Sequence, residues 1–217
     1  MSSDAGRAAR EWLRSSDPVL RELIDSHGPN GLPERRSGAQ REHYGALVRT
    51  IVGQQLSTRA AAAIYNRLAA HFGEREPTPQ EILDEDPEAL RAVGLSRAKV
   101  TFLRSLAEHV LDGRLALERL DTLSDEDVIG ELTAVRGLGP WSAHMFLMFH
   151  LGRPDVLATG DLGIRKAIMA AYKLEALPDP KTMERIAAPW RPHRTLACRY
   201  LWATLDSDPG GAEPDPI

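Results

Sequence analysis

The stretch that decides the fold, LTAVRGLGPWSAHMFLMFHLGRPDVLATGD, spans residues 132–161. It begins in a helical pattern that breaks where two glycines flank Leu138, and a second helix is predicted to begin at Pro140. Proline suits the first turn of a helix because its missing N–H would have no partner there. The glycines tolerate positive φ and a close approach of another backbone. The stretch therefore predicts a helix, a tight hairpin and a second helix.

The hairpin is a candidate anion site. Its backbone amides and the N-terminus of the second helix are expected to point outward together, an arrangement that favours a bound phosphate. The residues assigned to this site are Arg136, Gly137, Leu138 and Gly139. A Gly-x-Gly segment between two helices also serves as a plain cap and connector, and the hairpin alone does not separate these alternatives.

An aspartate stands at the start of a third helix. Residues 140–151 form an apolar helix that is predicted to end at Gly152, with Pro154 two residues later. After a short apolar segment, Asp161 occupies the position expected for the N-cap of the next helix. Helix capping alone is sufficient to explain an aspartate there.

These features together resemble the helix-hairpin-helix-Gly/Pro/Asp (HhH-GPD) superfamily of DNA glycosylases. LVRTIVGQQLSTRAAAAIYNRLAAHFG, residues 47–73, is similar to the upstream helix and DNA-inserting turn of that superfamily. VGLSRAKVTFLRSLAEHV, residues 93–110, is similar to its middle helical pair. WRPHRTLACRYLW, residues 190–202, resembles the C-terminal helix of the alkylpurine branch, the 3-methyladenine DNA glycosylase II type. The resemblance covers roughly residues 40–205.

The predicted fold class is all-α, because no stretch alternates polar and apolar residues over the length of a strand. The resemblance implies two helical lobes flanking a DNA-binding cleft, built from a single HhH-GPD domain over residues 1–217. We expect one lobe to combine about 1–40 with about 150–205, and the other to span about 41–149. Residues 206–217 are predicted to form a polar tail.

Local signals complete the expected organisation. Residues 1–10 are small and polar and are expected to fray, and residues 28–38 have the composition of a loop. Ser57, Ser96 and Ser124 each precede an apolar-periodic segment and are predicted N-caps.

Composition limits the class of protein. A single cysteine, Cys198, excludes a disulfide framework within the chain and the four-cysteine iron–sulfur cluster of some HhH-GPD relatives. The sequence shows no signal peptide and no apolar segment long enough to cross a membrane, so we expect a cytoplasmic protein with no membrane partner. The resemblance implies a monomer.

The net charge of −4 argues against nucleic acid only if it is read as one number. Residues 1–73 carry a net charge of +3 and residues 132–199 a net charge of +5, whereas residues 74–131 carry −8. The hairpin and the Gln54-Gln55 turn lie in the two basic segments. Local positive charge is what contact with phosphates requires, so double-stranded DNA remains a suitable partner.

The resemblance implies hydrolysis of the N-glycosidic bond of alkylated purines such as 3-methyladenine and 7-methylguanine. The transition state places positive charge on the sugar, and Asp161 is the candidate carboxylate that stabilises this charge. Asp155 lies outside the matching position. Relatives that also cleave the strand use a lysine whose position is occupied by Trp141 here. We therefore expect a monofunctional glycosylase with no lyase activity.

The remaining site residues are also implied by the resemblance. Trp141 and Trp202 are expected to line the base pocket, where a cationic alkylated base stacks on an electron-rich indole. Gln55 and Leu56 are the expected wedge that fills the gap left by a flipped base. No cofactor or transition metal is expected, although a monovalent cation bound by hairpin carbonyls in the DNA complex is implied by relatives.

Two other readings stay open on the sequence. One is a non-catalytic helix-hairpin-helix module that binds damaged DNA. The other is a glycosylase for oxidised or mismatched bases, which the missing lysine and missing cluster cysteines make less suitable. For both tryptophans and for Gln54-Gln55, ordinary roles in the core and in a polar turn are the alternatives.

Overall fold

The computed structural model describes residues 3–27, 32 and 42–206, and every regular element within them is helical. The prediction of an all-α fold is confirmed. The helices are α1 (Ser3–Ser16), α2 (Pro18–Ser26), α3 (His43–Gly53), α4 (Thr58–His71), α5 (Pro79–Asp84), α6 (Pro87–Ala92), α7 (Arg97–Leu111), α8 (Asp125–Thr133), α9 (Pro140–Met145), α10 (Leu162–Ala171), α11 (Pro180–Ala187) and α12 (Arg194–Asp206). Short 3₁₀ turns lie at Leu117–Arg119 and Ala188–Trp190.

The described chain divides into two compact units. The first comprises residues 3–27, 32 and 153–206, which form α1, α2 and α10 to α12. Its fully buried side chains include Leu13, Leu20, Ile168, Trp190 and Leu201. The second comprises residues 42–152, which form α3 to α9. Its fully buried side chains include Leu47, Ile51, Leu103, Leu132 and Phe146.

The three predicted serine caps are confirmed. The hydroxyl oxygen of Ser57 accepts the Ala60 amide at 3.4 Å, and that of Ser96 accepts the Lys99 amide at 3.2 Å. The Ser124 hydroxyl accepts the amide of the third helical residue of α8 at 3.1 Å. Each cap satisfies one of the amides that a helix start leaves without an intrahelical partner, which is why α4, α7 and α8 begin where they do.

The expectation of a frayed N-terminal segment is wrong from Ser3 onward. Helix α1 begins at Ser3, and its side chains Ala9 and Leu13 are buried against the first unit. The segment is rich in alanine, the residue with the highest helix propensity, and the buried positions tie it to the core. Helix α12 extends to Asp206, the first residue of the expected tail; residues 207–217 and most of the predicted loop at 28–38 lie outside the described residues.

The apolar helix after the hairpin contains a feature that the sequence did not reveal. Helix α9 continues into a π-helical turn, Phe146–His150, in which the Leu151 amide donates to the Phe146 carbonyl at 3.0 Å. His150 is buried at the end of this turn, with Nε2 2.8 Å from Nδ1 of His43. The extra residue in the turn places His150 on the side of the helix that faces α3.

Candidate functional site

Asp161 is the N-cap of α10, as predicted. Its backbone is extended (φ −80°, ψ 121°), and its Oδ1 accepts the amide of Ile164 at 2.7 Å. Oδ1 also accepts the indole N–H of Trp202 at 3.0 Å. The carboxylate is half-buried. Two donors, one on α10 and one on α12, therefore fix its orientation while part of it remains accessible.

The structure thus brings together two residues that lie 41 positions apart in the sequence. Trp202 is itself half-buried in α12. Gly163 makes the contact possible, because a Cβ at that position would lie 3.0 Å from Asp161 Oδ1 and 3.3 Å from Trp202 Nε1. A methyl group there would crowd both partners of the bond. Gly163 is a member of the site that the sequence did not indicate.

The loop that leads to Asp161 is anchored to the start of α12. The Thr195 hydroxyl donates to the Arg153 carbonyl at 2.7 Å and accepts the amide of Val156 at 3.0 Å, while the Thr195 amide donates to the Pro154 carbonyl at 3.0 Å. Val156 is buried, as are the two residues that follow it. The position of the aspartate is therefore set by both helices rather than by a mobile loop.

Asp155 has a structural role. Its carboxylate accepts Nε of Arg194 at 2.8 Å and Nη1 of Arg191 at 3.0 Å. Arg194 is only 9% exposed, and its Nη2 also donates to the Asp155 carbonyl at 2.6 Å. A guanidinium enclosed in this way is committed to the loop.

The hairpin lies in the second unit, between α8 and α9. Gly137 has a φ of +96°, and a Cβ on it would lie 2.2 Å from the Phe102 ring, so only glycine fits. Gly139 is extended (φ −100°) and caps α9 without a side-chain hydrogen bond. The prediction of a glycine-dependent helical hairpin is confirmed, although only one of the two glycines needs positive φ.

The amides of the hairpin are not all turned outward. The Leu138 amide donates to the Val135 carbonyl at 3.1 Å, and its side chain is buried. The expectation that all four amides are presented is therefore wrong for Leu138, because that amide closes the turn. The amides of Gly137 and Gly139 have no acceptor among the described residues, and Arg136 is exposed beside them.

Trp141 lies in the first turn of α9, directly after Pro140, and is half-buried. It belongs to the second unit, whereas Asp161 and Trp202 belong to the first. The structure therefore places the two candidate pocket tryptophans on α9 and α12, in different units.

The turn between α3 and α4 carries the predicted wedge. Gln55 is exposed and has a φ of +58°, the left-handed region that a residue with a side chain rarely adopts. Leu56 is 39% exposed. Both side chains are displayed to solvent.

Gln54 behaves differently from its neighbour. Its Nε2 donates to the carbonyl of Gly137 at 2.8 Å and lies 3.4 Å from the hydroxyl of Ser142. Gln54 therefore connects the wedge to the hairpin. The sequence offered no signal that separates the two adjacent glutamines, since the difference arises from a contact between residues 83 positions apart.

Neither a cluster of metal ligands nor a membrane-spanning helix is found in the part of the chain that the structure describes. In residues 3–27, 32 and 42–206, no three His, Cys, Asp or Glu side chains are placed to hold a metal ion together. None of the helices in the described part of the chain has the length and apolar character that a membrane crossing requires.

Comparisons with known proteins agree with the geometry. The model of a family described as HhH-GPD superfamily base excision DNA repair protein matches residues 48–192. DNA-3-methyladenine glycosylase 1 of Schizosaccharomyces pombe is 36% identical over 187 residues, which cover 85% of this chain and 80% of the relative. DNA-3-methyladenine glycosylase 2 of Escherichia coli is 29% identical over 174 residues, which cover 76% of this chain and 58% of the relative.

Similarity extends to solved structures. The S. pombe 3-methyladenine DNA glycosylase (Mag1) in complex with abasic DNA superposes with a TM-score of 0.80 at 34% identity, covering 92% of this chain and 97% of the other. A DNA-3-methyladenine glycosidase from Bacillus halodurans gives a TM-score of 0.77 at 34% identity, and the match covers 90% of this chain and 88% of the other.

Proposed function

Because the chain belongs to the HhH-GPD superfamily of base excision DNA repair proteins, we propose that it is a monofunctional DNA glycosylase that releases alkylated purines, 3-methyladenine and 7-methylguanine, from duplex DNA. The observation that carries the proposal is the Asp161 carboxylate, held at the start of α10 by the Ile164 amide and the Trp202 indole. The named activities of the relatives supply the substrate class.

Asp161 supplies negative charge to the transition state. The bond between C1′ and the purine nitrogen breaks with its electron pair going to the base, so a cationic alkylated base leaves neutral. The sugar gains positive charge, which the carboxylate stabilises. A water oxygen then bonds to C1′, and the carboxylate accepts its proton. The Ile164 amide and the Trp202 indole N–H hold the carboxylate in a fixed orientation for this role.

The base must leave the duplex before this reaction. Gln55 and Leu56, exposed on the turn before α4, fill the gap in the stack. The amides of Gly137 and Gly139 bind a phosphate of the same strand, with Arg136 adding positive charge. The indole rings of Trp141 and Trp202 are each suited to stack on a cationic base, an attraction of about 1–2 kcal/mol when the partners are desolvated.

No lysine stands at position 141, so no amine is placed there to attack C1′ and the strand is left intact. A monovalent cation at the hairpin stays a prediction. The protein acts on DNA inside the cell.

A base-release screen tests the proposal. Duplexes containing 7-methylguanine, 3-methyladenine, 8-oxoguanine or a mismatch are incubated with the wild type and with Asp161→Asn, and the free bases are quantified. We expect the wild type to release the methylated purines and Asp161→Asn to be slower by roughly 100- to 1,000-fold. Binding of the variant to an abasic duplex should be preserved.

Asp179→Asn is the matched control. Asp179 is also an N-cap, and its Oδ1 accepts the Thr182 amide at 2.7 Å at the start of α11. Asparagine retains this cap, so the variant should release bases at the wild-type rate. Release of no base by the wild type, despite binding to damaged duplex, would favour the non-catalytic module. Release of 8-oxoguanine or a mismatched base alone would show a glycosylase for oxidised or mismatched bases.

A further inference from the structure

The turn formed by residues 54–57, here named the wedge turn, is held by bonds on both of its sides. At its start, the Leu56 amide donates to the Gly53 carbonyl at 3.2 Å. At its end, the Ser57 hydroxyl caps α4. These local bonds shape the turn, yet they do not fix its position relative to the hairpin.

Gln54 provides a long-range bond. Its side-chain amide reaches the Gly137 carbonyl at 2.8 Å and lies 3.4 Å from the hydroxyl oxygen of Ser142, a buried side chain in α9. One amide group therefore contacts both the hairpin and the helix that follows it. A neutral amide does this without placing a buried charge near phosphate.

Lys99 anchors the end of α3, which leads into the wedge turn. Its Nζ donates to the Val52 carbonyl at 2.7 Å, in the last turn of α3. Burial lowers the pKa of Lys99 from its ordinary value. Lys99 lies on α7, and the same helix carries Phe102, whose ring lies against Gly137. Helix α7 thus contacts both the last turn of α3 and the hairpin, and Gln54 joins the wedge turn to the hairpin directly.

From these contacts we infer that Gln54 is a positioning residue, which fixes the distance between the wedge and the bound phosphate. The inference rests on the proposed function, since it assigns a role within the same DNA contact. A wedge enters the stack productively only if the strand beside it is held at a set distance. The bond to Gly137 supplies this constraint before DNA arrives, so little ordering remains to be done on binding.

Loss of this bond has a specific expected signature. Gln54→Ala removes the bond to the hairpin but leaves Gln55, Leu56 and the hairpin amides in place. Phosphate contact should persist, whereas insertion of the wedge should become less efficient. Affinity for undamaged duplex should therefore stay within about twofold of the wild type, because the phosphate contacts that dominate non-specific binding are retained.

The experiment measures unstacking and base release separately. A duplex carries 2-aminopurine beside a tetrahydrofuran abasic analogue, and the rise in fluorescence on binding reports the distorted stack. A second duplex carries 7-methylguanine for single-turnover release. With Gln54→Ala, we expect the fluorescence rise to be reduced and the single-turnover rate to fall by about fivefold to tenfold, as for a lost hydrogen bond in a positioned site.

Gln80→Ala is the matched control. The Gln80 amide donates to Asp84 at 2.8 Å on the exposed surface of α5, in the same unit. This variant should match the wild type in all readouts. Gln54→Ala equal to the wild type in fluorescence and in release rate would overturn the inference. So would a loss of all DNA binding together with a large drop in melting temperature, which would indicate a purely structural role.

The proposed function can fail separately. If the wild type released no base from any duplex, the glycosylase assignment would be wrong, whereas the fluorescence comparison would still test the role of Gln54. If the wild type released 7-methylguanine and Gln54→Ala did so at the same rate with an unchanged fluorescence rise, only the inference about Gln54 would be lost.

Discussion

Asp17 and Asp161 repeat one local motif at two places in the first unit. Each is the N-cap of a helix, α2 and α10 respectively, and each accepts the N–H of an indole from a distant part of the chain. Trp190 donates to Asp17 at 2.9 Å, and Trp202 donates to Asp161 at 3.0 Å. The two aspartates nevertheless have different consequences for the protein.

The difference lies in the burial of the two carboxylates. Asp17 is 5% exposed; its Oδ1 accepts the Val19 and Leu20 amides, and its Oδ2 accepts Trp190 and the hydroxyl of Tyr172 at 2.6 Å. Burial, followed by the nearby Asp17 carboxylate, raises the pKa of Tyr172, so its hydroxyl remains a donor. By contrast, the Ile164 amide and the Trp202 indole both reach Oδ1 of Asp161, which is half-buried. The same motif stabilises the fold at one place and displays a carboxylate at the other.

Replacement of each aspartate by asparagine tests this contrast most strongly. In Asp17→Asn, one oxygen becomes an amide nitrogen that faces the donors of Tyr172 and Trp190, so we expect a loss of about 3 kcal/mol in the free energy of unfolding. Asp161→Asn keeps the cap and should lose less than about 1 kcal/mol. Urea unfolding monitored by circular dichroism measures both.

The rate of base release by Asp17→Asn is the second part of this test. At a temperature where it is folded, Asp17→Asn should release 7-methylguanine within about twofold of the wild-type rate, because Asp17 contacts no reacting atom in the proposed mechanism. Equal losses of stability in the two variants would show that the two caps do not differ in the way described.

Replacement of the two indoles, Trp202 and Trp190, by phenylalanine should give smaller effects than replacement of the aspartates. Trp202→Phe keeps an aromatic face for the base but removes the N–H that orients Asp161, so we expect the single-turnover rate to fall by about tenfold, the loss of roughly one hydrogen bond to a charged group. Trp190→Phe should leave the rate unchanged while costing about 2 kcal/mol of stability.

The readouts are the single-turnover rate at saturating enzyme and the unfolding free energy of each variant. A wild-type rate for Trp202→Phe would mean that the Ile164 amide and the fold around α10 position Asp161 without help. A rate that fell equally in both variants would point to general disruption of the first unit.

Features with local causes could be predicted from the sequence. Asp161 and Ser124 are caps because a short polar side chain meets amides two or three residues ahead, and the sequence contains both partners. The hairpin could be predicted because glycine tolerates the positive φ of a tight turn, whereas proline fixes its own φ at a value that suits the start of a helix. The superfamily followed from the combination of these local signals in order.

Features with distant causes could not be predicted. The bond of Trp190 to Asp17 joins residues 173 positions apart, so no local pattern around Asp17 indicates it. The same limit applies to the choice of Gln54 rather than Gln55 as the residue that contacts the hairpin. The π-helical turn at Phe146–His150 also escaped, because its apolar pattern is compatible with an ordinary α-helix.

Gly163 allows a more graded test of the Asp161 site. Gly163→Ala places a methyl group against Asp161 Oδ1 and Trp202 Nε1, so we expect base release to slow by about threefold as the bond is lengthened. Alanine is favoured over glycine in a helix by up to about 1 kcal/mol. The free energy of unfolding of Gly163→Ala should therefore not fall, although base release slows. Asp17 has no such glycine in its cap.

Gly130→Ala is the control for that substitution. Gly130 lies within α8, and a Cβ there meets nothing within 4 Å. This variant should gain stability and keep the wild-type rate. A normal rate for Gly163→Ala would show that the bond between Asp161 and Trp202 tolerates a small displacement.

Cys198 provides the last and smallest effect, a chemical reporter on the same helix as Trp202. It is fully buried, and burial raises the pKa of its thiol to about 12, compared with about 9 for an exposed cysteine. The folded state therefore keeps the proton that the unfolded state loses above about pH 9, so this group lowers stability as the pH rises beyond that value. Near pH 8, the native thiol should be unreactive.

Labelling of Cys198 with iodoacetamide at pH 8 consequently reports unfolding rather than native reactivity. We expect negligible labelling of the wild type over hours and complete labelling in urea, measured by mass spectrometry. Asp17→Asn should accelerate labelling by roughly 100-fold, because a loss of about 3 kcal/mol raises the population of the open state exponentially. Asp161→Asn should label no more than about fivefold faster than the wild type, since its cap persists and less than about 1 kcal/mol is lost. Rapid labelling of Asp161→Asn would show that the displayed carboxylate also holds α12 in place, and the division between a stabilising and a catalytic aspartate would then be one of degree.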